Sequence, residues 1–153
     1  MAGYYFEEFE INQTFDHEIR RTITENDNVM FSCMTMNTQP LHIDAEFAKQ
    51  SIYGQPLVNS MFTLALVVGL QVTELTLGTT LGNLGMTDIA FPKPVFYGDT
   101  IRARSTVLSK RLSQSRNDSG IVVFRHEGFN QRDEQVVTMQ RTALMATQPQ
   151  SAV

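Results

Sequence analysis

The chain has 153 residues and a formal net charge of −4, with 12 Lys and Arg against 16 Asp and Glu. This length fits one domain with a full hydrophobic core, and 42% hydrophobic with 18% charged residues is typical of a globular protein. The acidic balance and the lack of a Lys/Arg-rich run argue against nucleic-acid binding, and no apolar run is long enough to span a membrane.

Residues 1–8 show neither a basic segment nor an apolar core, so we expect no signal peptide. Cys33 is the only cysteine, which excludes an internal disulfide and any zinc site made of several cysteines. We expect Cys33 to be a small buried residue of a helix and the chain to reside in a reducing cytoplasm.

In chain order, Phe15 to Ile23 mixes apolar and charged residues in near-alternation, which predicts a strand. The segment from Thr24 to Asp27 resembles a capping box, with Asp27 in place of the usual Glu. It opens a predicted helix whose apolar residues are Val29, Met30, Phe31 and Met34. Asp44 is the expected N-cap of a second short helix that ends near Gln50.

The segment from Ser60 to Leu70 is apolar on almost every face, so a helix there must be enclosed by other elements. Everything after Thr79 predicts sheet, with strands at Thr100–Leu108, Ile121–Phe129 and Val136–Met145 separated by the turns Ser113–Gly120 and Asn130–Asp133. The expected class is α+β, a curved antiparallel sheet wrapped around a long buried helix in a single domain over residues 1–147. Residues 148–153 are expected to be a frayed tail, and an open sheet edge favours a homodimer or higher homo-oligomer.

An imidazole and two carboxamides share one short loop just upstream of the apolar helix: Asn37, Gln39 and His42. A histidine exchanges protons near neutral pH, and the start of a helix offers free N–H groups to a developing negative charge. Those are the parts needed for acid–base chemistry beside a carbonyl. The alternative is that His42 only braces the loop by hydrogen bonding.

Four ordered blocks resemble the MaoC-like dehydratases, relatives of the (R)-specific enoyl-CoA hydratases with the hot-dog fold. The blocks are Arg21–Phe31, Asn37–Asp44, Gly54–Met61 and Phe91–Thr100, and the similarity extends from about Phe15 to Met145. The resemblance implies reversible addition of water to a trans-2-enoyl-CoA thioester. It implies no cofactor besides the coenzyme A of the substrate, and an acyl-CoA as the partner molecule.

The active loop of that family reads Gly-Asp-x-Asn-Pro-x-His. Pro40 and His42 match this pattern, whereas Asn37 stands at the aspartate, Gln39 at the asparagine and Met36 at the glycine. A carboxamide cannot accept a proton at neutral pH, but it can orient water. Three outcomes stay open. His42 acts alone while Asn37 and Gln39 position water, Asp44 or Asp27 stands in for the missing carboxylate, or the site binds a thioester without turnover.

The resemblance assigns His42 as the base and the start of the apolar helix, at Asn59, Ser60 and Met61, as the oxyanion and thioester site. Substrate binding is assigned to Gly54, Arg102 and Arg104. The cations that could meet the coenzyme A phosphates are Lys93, Arg102, Arg104, Lys110 and Arg111.

The remaining histidines, His17 and His126, lie in strand patterns and are expected to be structural. Because the three histidines show no ligand spacing, no metal site is expected. An acyl-CoA-binding protein without catalysis is the alternative function. A thioesterase is a weaker one, since no obvious carboxylate lies between Gly54 and Thr73 that could serve it. The amide-rich loop and the arginines suit a short branched or dicarboxylic acyl group.

Overall fold

The computed structural model describes residues 3–149, in which one antiparallel sheet curves around a central helix. Its strands are β1 (Thr14–Asp16), β2 (Arg21–Thr22), β3 (Thr80–Ala90), β4 (Thr100–Leu112), β5 (Ser119–Phe129) and β6 (Gln135–Ala146). Its helices are α1 (Glu25–Met34), α2 (Pro40–Ile43), α3 (Ala45–Lys49) and α4 (Ser60–Leu70). The strand order is β1-β4-β5-β6-β3, and β2 also pairs with β4. Most of the predicted frayed tail lies outside the described residues.

Strand β4 shows how the predicted α+β class arises. Ile101, Ala103, Ser105 and Val107 point inward and are buried, while the residues between them face outward. This alternation lets one face of β4 meet α4 and the other meet solvent. Strands β5 and β6 repeat the pattern, so the inner faces of all three strands form one concave surface.

Helix α4 packs on that concave surface through Val67 and Leu70, which join the apolar cluster of Ile101, Val137 and Met139. The prediction that α4 is enclosed on every side is wrong for the single chain. Met61 is 48% exposed, and Ala65 and Gly69 on the same helical face are exposed too. After α4 the chain makes a π-helical turn at Val72–Thr76 that the sequence analysis did not predict.

The prediction of one strand from Phe15 to Ile23 is also wrong, because the ladder is interrupted between β1 and β2. At this point the His17 ring is buried between Glu74 and Ser105, with Nδ1 2.9 Å from a Glu74 carboxylate oxygen. The N–H of Glu18 also donates to Glu74, at 3.0 Å. The His17 N–H still donates to the Ala103 carbonyl of β4 at 3.1 Å, so the ladder is lost only after this residue.

A chain of polar side chains crosses the sheet interior between the apolar cluster of α4 and a second one, which includes Phe9, Val107 and Phe124. His17 Nε2 lies 2.8 Å from the Ser105 hydroxyl, which lies 2.7 Å from Nδ1 of His126. Arg141 is buried beside this chain, and its Nε and Nη1 have no hydrogen-bond partner within residues 3–149. His17 and His126 thus lie in the fold interior. His126 is on β5, as its strand pattern predicted, whereas His17 lies between β1 and β2 and not in a strand.

Gly128 allows α4 to approach the sheet closely. A Cβ at this position would lie 2.5 Å from Cγ2 of Val67 and 2.8 Å from Cγ1 of Val137. We expect Gly128→Ala to lower the free energy of unfolding by about 1–3 kcal/mol, since both neighbours are packed in the core. Urea unfolding followed by circular dichroism measures this. Gly82→Ala is the matched control, because a Cβ there meets nothing within 4 Å.

Candidate active site

The loop that carries His42 begins where α1 ends. The capping box is confirmed at the start of α1, where Thr24 accepts from the N–H of Asp27 and Asp27 accepts from the N–H of Thr24. At the other end Met36 has φ +58°, in the left-handed region that costs a residue with a side chain about 1–2 kcal/mol. The turn therefore explains on physical grounds why a glycine suits this position.

His42 lies on the short helix α2, which has Pro40 in its first turn, and it is 9% exposed. Its Nδ1 lies 2.8 Å from the carbonyl oxygen of Leu57. A carbonyl oxygen only accepts, so Nδ1 is assigned the proton and Nε2 keeps its lone pair. Within the part of the chain that the structure describes, Nε2 has no hydrogen-bond partner. This is the arrangement of a ring prepared to take a proton from a bound molecule.

The two carboxamides predicted to assist His42 do not touch it in this structure. Asn37 and Gln39 are exposed, and the Asn37 carbonyl oxygen accepts from the backbone N–H of Gln39 at 3.4 Å. No hydrogen bond among residues 3–149 joins either side chain to His42. Both amides lie on the same loop as the ring, where a bound water could link them to it.

The two carboxylates considered as substitutes for the missing aspartate serve as helix caps. Asp44 accepts from the N–H groups of Glu46 and Phe47, at 3.0 Å each. Asp27 caps α1 and pairs with Arg21 at 2.7 Å. Burial raises the pKa of Asp27, but the bonds from Thr24 and Arg21 outweigh this and leave it below its usual value. Neither carboxylate hydrogen-bonds to His42, so the structure gives no support to this alternative.

The start of α4 is capped by Asn59, whose side chain is buried. Its carbonyl oxygen accepts from the N–H of Met61 at 3.0 Å, and its amide donates to the Ser32 hydroxyl at 3.2 Å. Met61 was predicted as an oxyanion donor, but its N–H is already engaged. The N–H groups of Ser60 and Phe62 are the ones left without a partner among the described residues. They keep the positive end of the helix available to an anionic oxygen.

A cavity of about 220 Å³ opens beside this helix start. Its lining residues are Tyr53, Leu57, Val58, Ser60, Thr63, Phe91, Pro92, Lys93, Pro94, Val95 and Val136. The Thr63 hydroxyl is buried and has no hydrogen-bond partner within residues 3–149. Lys93 is the one charged residue of this lining. Most of the lining residues are apolar, but polar atoms contribute about as much of the lining surface as apolar ones, and the Thr63 hydroxyl and the Lys93 cation are available to a polar group of a ligand.

The other predicted substrate-binding residues are not brought to this cavity. Gly54 has φ +67° and closes a turn through its N–H to Ser51, which explains why glycine is needed there. Arg102 and Arg104 lie on the outer face of β4, opposite α4, because side chains alternate along a strand. Arg102 pairs with Asp133 and Arg104 pairs with Asp16. Of the predicted cations, Lys93 is the one that lines the cavity.

Helix α1 turns a different face inward from the one its apolar residues predicted. Asn28 and Ser32 are fully buried, whereas Met30 and Met34 are exposed. Cys33 is exposed as well, so the prediction of a buried thiol is wrong. The buried face of α1 meets backbone carbonyls and the cap of α4, and these need polar partners. Sequence reasoning missed Asn28 and Ser32, although their i, i+4 spacing was a signal that could have found them.

Two general observations complete the site. No helix within the described range is long and apolar enough to cross a bilayer. In that same range, no group of three or more His, Cys, Asp or Glu side chains is arranged to hold a metal ion.

A mesaconyl-CoA hydratase from Cereibacter sphaeroides is 31% identical over 144 residues, which are 94% of this chain and 41% of that protein. A β-methylmalyl-CoA dehydratase from Chloroflexus aurantiacus is 30% identical over 135 residues, 88% of this chain and 38% of that protein. The chain thus spans about two fifths of the length of these curated relatives.

Solved structures agree on the fold. One described as a monoamine oxidase regulatory protein from an Archaeoglobus species has a TM-score of 0.85 and 35% identity, covering 97% of this chain and 98% of that one. A Mycobacterium tuberculosis protein described as a double hotdog fold has a TM-score of 0.86 at 20% identity, covering 99% of this chain and 46% of that one. The family model for the MaoC like domain matches residues 7–142. The chain therefore belongs to the MaoC-like family and has the hot-dog fold.

Proposed function

We propose that this chain catalyses the reversible addition of water to a trans-2-enoyl-CoA thioester. The proposal is carried by the free Nε2 of His42 together with the N–H groups of Ser60 and Phe62 at the start of α4, which lack hydrogen-bond partners among residues 3–149. His42 and α4 are tied together because Leu57, which binds the ring, lies two residues before the cap residue Asn59. The names of the relatives, a hydratase and a dehydratase of acyl-CoA thioesters, support the same reaction.

In the proposed mechanism, Nε2 of His42 takes a proton from water as the water oxygen bonds to C3 of the thioester. The electron pair of the C2–C3 double bond moves toward the carbonyl, and the enolate oxygen is held by the free N–H groups of α4. The imidazolium then returns a proton to C2, so one water is added in total. Asn37 and Gln39 hold the water by hydrogen bonds. Both steps use His42 alone, first as base and then as acid.

The cavity supports a short branched or dicarboxylic acyl group. A thioester carbonyl at the start of α4 directs its acyl group toward Thr63, whose buried hydroxyl has no partner within the described chain. Lys93 supplies the positive charge that a terminal carboxylate needs. The C. sphaeroides and C. aurantiacus relatives carry names of branched dicarboxylic thioesters, which fits this chemistry.

A hydration assay tests the proposal. Purified protein is mixed with crotonyl-, tiglyl- and mesaconyl-CoA, and loss of enoyl-thioester absorbance is followed while released thiol is measured separately. We expect loss of enoyl absorbance without thiol release, fastest with mesaconyl-CoA. Thiol release instead would favour a thioesterase. A thioesterase would need a free carboxylate near α4, and Glu74, which follows this helix, is bound to His17.

The alternative is an acyl-CoA-binding protein without turnover. It is favoured by one observation: no carboxylate within residues 3–149 hydrogen-bonds to His42. In that case calorimetry would show acyl-CoA binding while the hydration assay stays flat. Asn37→Asp would then be expected to create measurable turnover, since an aspartate adds a negative charge to the loop that carries His42. Absence of both binding and turnover across the panel would reject the two functions together.

We further propose that two copies of the chain assemble through α4 and the edge strand β3. We also propose that the protein works in the cytoplasm. The exposed face of α4 at Met61 and the exposed Leu81, Leu84 and Ile89 of β3 are apolar surfaces that a second copy would cover. Light scattering coupled to size exclusion measures the mass directly. A monomeric mass at working concentrations would contradict this assembly.

A further inference from the structure

The side chain of Asn28 connects three parts of the candidate site. It is fully buried on α1, and its amide nitrogen lies 3.0 Å from the His42 carbonyl oxygen, 3.1 Å from the Leu57 carbonyl oxygen and 3.3 Å from the Tyr97 hydroxyl. Its carbonyl oxygen accepts from the backbone N–H of Asn59 at 2.7 Å. The side-chain amide of Asn28 offers one acceptor oxygen and two donor hydrogens, and both its oxygen and its nitrogen are thus hydrogen-bonded.

The carbonyl oxygen of Leu57 is the point where Asn28 meets the His42 ring. It accepts from the Asn28 amide and also from Nδ1 of His42, at 2.8 Å. Asn28 therefore fixes the position of the acceptor that selects the ring tautomer. It also holds the backbone of His42 itself, where Tyr97 donates a further bond at 3.2 Å. Ring orientation and tautomer both depend on this contact set.

The bond from Asn59 to Asn28 extends the same control to α4. Asn59 caps that helix, and one turn along α1 the Ser32 hydroxyl accepts from the Asn59 amide. Within residues 3–149 the Ser32 hydroxyl hydrogen-bonds to the cap residue Asn59 and to neither His42 nor Leu57. Asn28 is thus the member of this pair that joins the ring to the start of α4.

We propose that Asn28 is a positioning residue, which holds Nε2 of His42 as the proton acceptor at a set distance from the free N–H groups of α4. The proposal rests on the proposed hydratase function for its catalytic consequence. The effect of Asn28 on the tautomer of His42 does not depend on that function and can be measured without substrate. Misplacing a reacting group by about 1 Å can cost on the order of 100-fold in rate.

The test compares Asn28→Asp with Ser32→Ala. The aspartate keeps the acceptor for Asn59 but has no amide hydrogens for Leu57 and His42, and its charge favours the imidazolium. We expect Asn28→Asp to lower kcat about 10–100-fold with little change in KM, and to move the acid limb of the kcat/KM profile to higher pH. Ser32→Ala, a buried control on the same helix, should lose thermal stability without moving that limb.

Nitrogen-15 NMR of histidine-labelled protein without substrate provides the second readout. Wild type should show His42 protonated on Nδ1 only, and Asn28→Asp should lose that pattern while the His17 and His126 signals keep theirs. An unchanged His42 pattern in folded Asn28→Asp would overturn the proposal, as would an equal change in Ser32→Ala. If wild type hydrates no thioester but the NMR change occurs, the proposed function fails and the positioning role survives.

Discussion

Replacing His42 by alanine is expected to remove turnover while the fold survives. General acid–base catalysis contributes about 10²–10⁴-fold, and His42 is assigned both proton transfers, so kcat/KM should fall by at least that range. Among residues 3–149, the one hydrogen bond of the His42 side chain is to the Leu57 carbonyl. Leaving that carbonyl unpaired costs about 1–3 kcal/mol, partly offset because Asn28 also donates to it.

His42→Gln separates catalysis from bracing. Glutamine can still donate to Leu57 but cannot take a proton, so it should recover stability without recovering turnover. Kinetics with the thioester used best by wild type, together with thermal unfolding of all three proteins, give the answer. Turnover near the wild-type level in His42→Ala would end the hydratase mechanism described above. Recovery of turnover in His42→Gln would show that the ring is only a brace.

The second large effect concerns stability toward acid and comes from His126. Burial first, and then the nearby charges of Arg141 and His17, lower the pKa of His126 from its ordinary 6.5 to about 3. At pH values between these two pKa values, the unfolded chain binds a proton at His126 and the folded chain does not. Stability therefore falls as pH decreases from about 6.5 toward 3, by about 1.4 kcal/mol per pH unit from this one group.

The expected measurement is the free energy of unfolding in urea at pH 7, 6, 5 and 4. The groups around His126 keep the sign clear. Arg141 and His17 both disfavour a positive charge on His126, while Glu74 hydrogen-bonds to His17 and to the Glu18 N–H and not to His126 within residues 3–149. His126→Phe should flatten the dependence by about one proton, since phenylalanine stacks on Phe124 without titrating. An equally steep dependence in that variant would show that other groups cause the acid loss.

The candidate site was predictable in its chemistry more than in its contacts. The loop containing His42, the start of α4 and the capping roles of Thr24, Asp27 and Asp44 follow from residue type and spacing within a few positions. The unpaired Nε2 of His42 does not follow from the sequence, because the Leu57 carbonyl that fixes the ring tautomer lies 15 residues away. The same applies to Met61, whose N–H is engaged by a cap that the sequence analysis had assigned to the ligand.

Sequence alone determined the elements whose hydrogen bonds and periodicity are local. The alternation of β4 and the apolar length of α4 predicted a sheet around a helix, because each pattern repeats with the period of its own element. For α1, only the tertiary structure decided which face turns inward. In α1 the polar Asn28 and Ser32 face inward and Cys33 faces out, because the neighbouring loop presents unpaired carbonyls instead of an apolar surface. Leaving a buried polar group without a hydrogen-bond partner costs more free energy than exposing a methionine side chain to solvent. Helix periodicity does not show that difference.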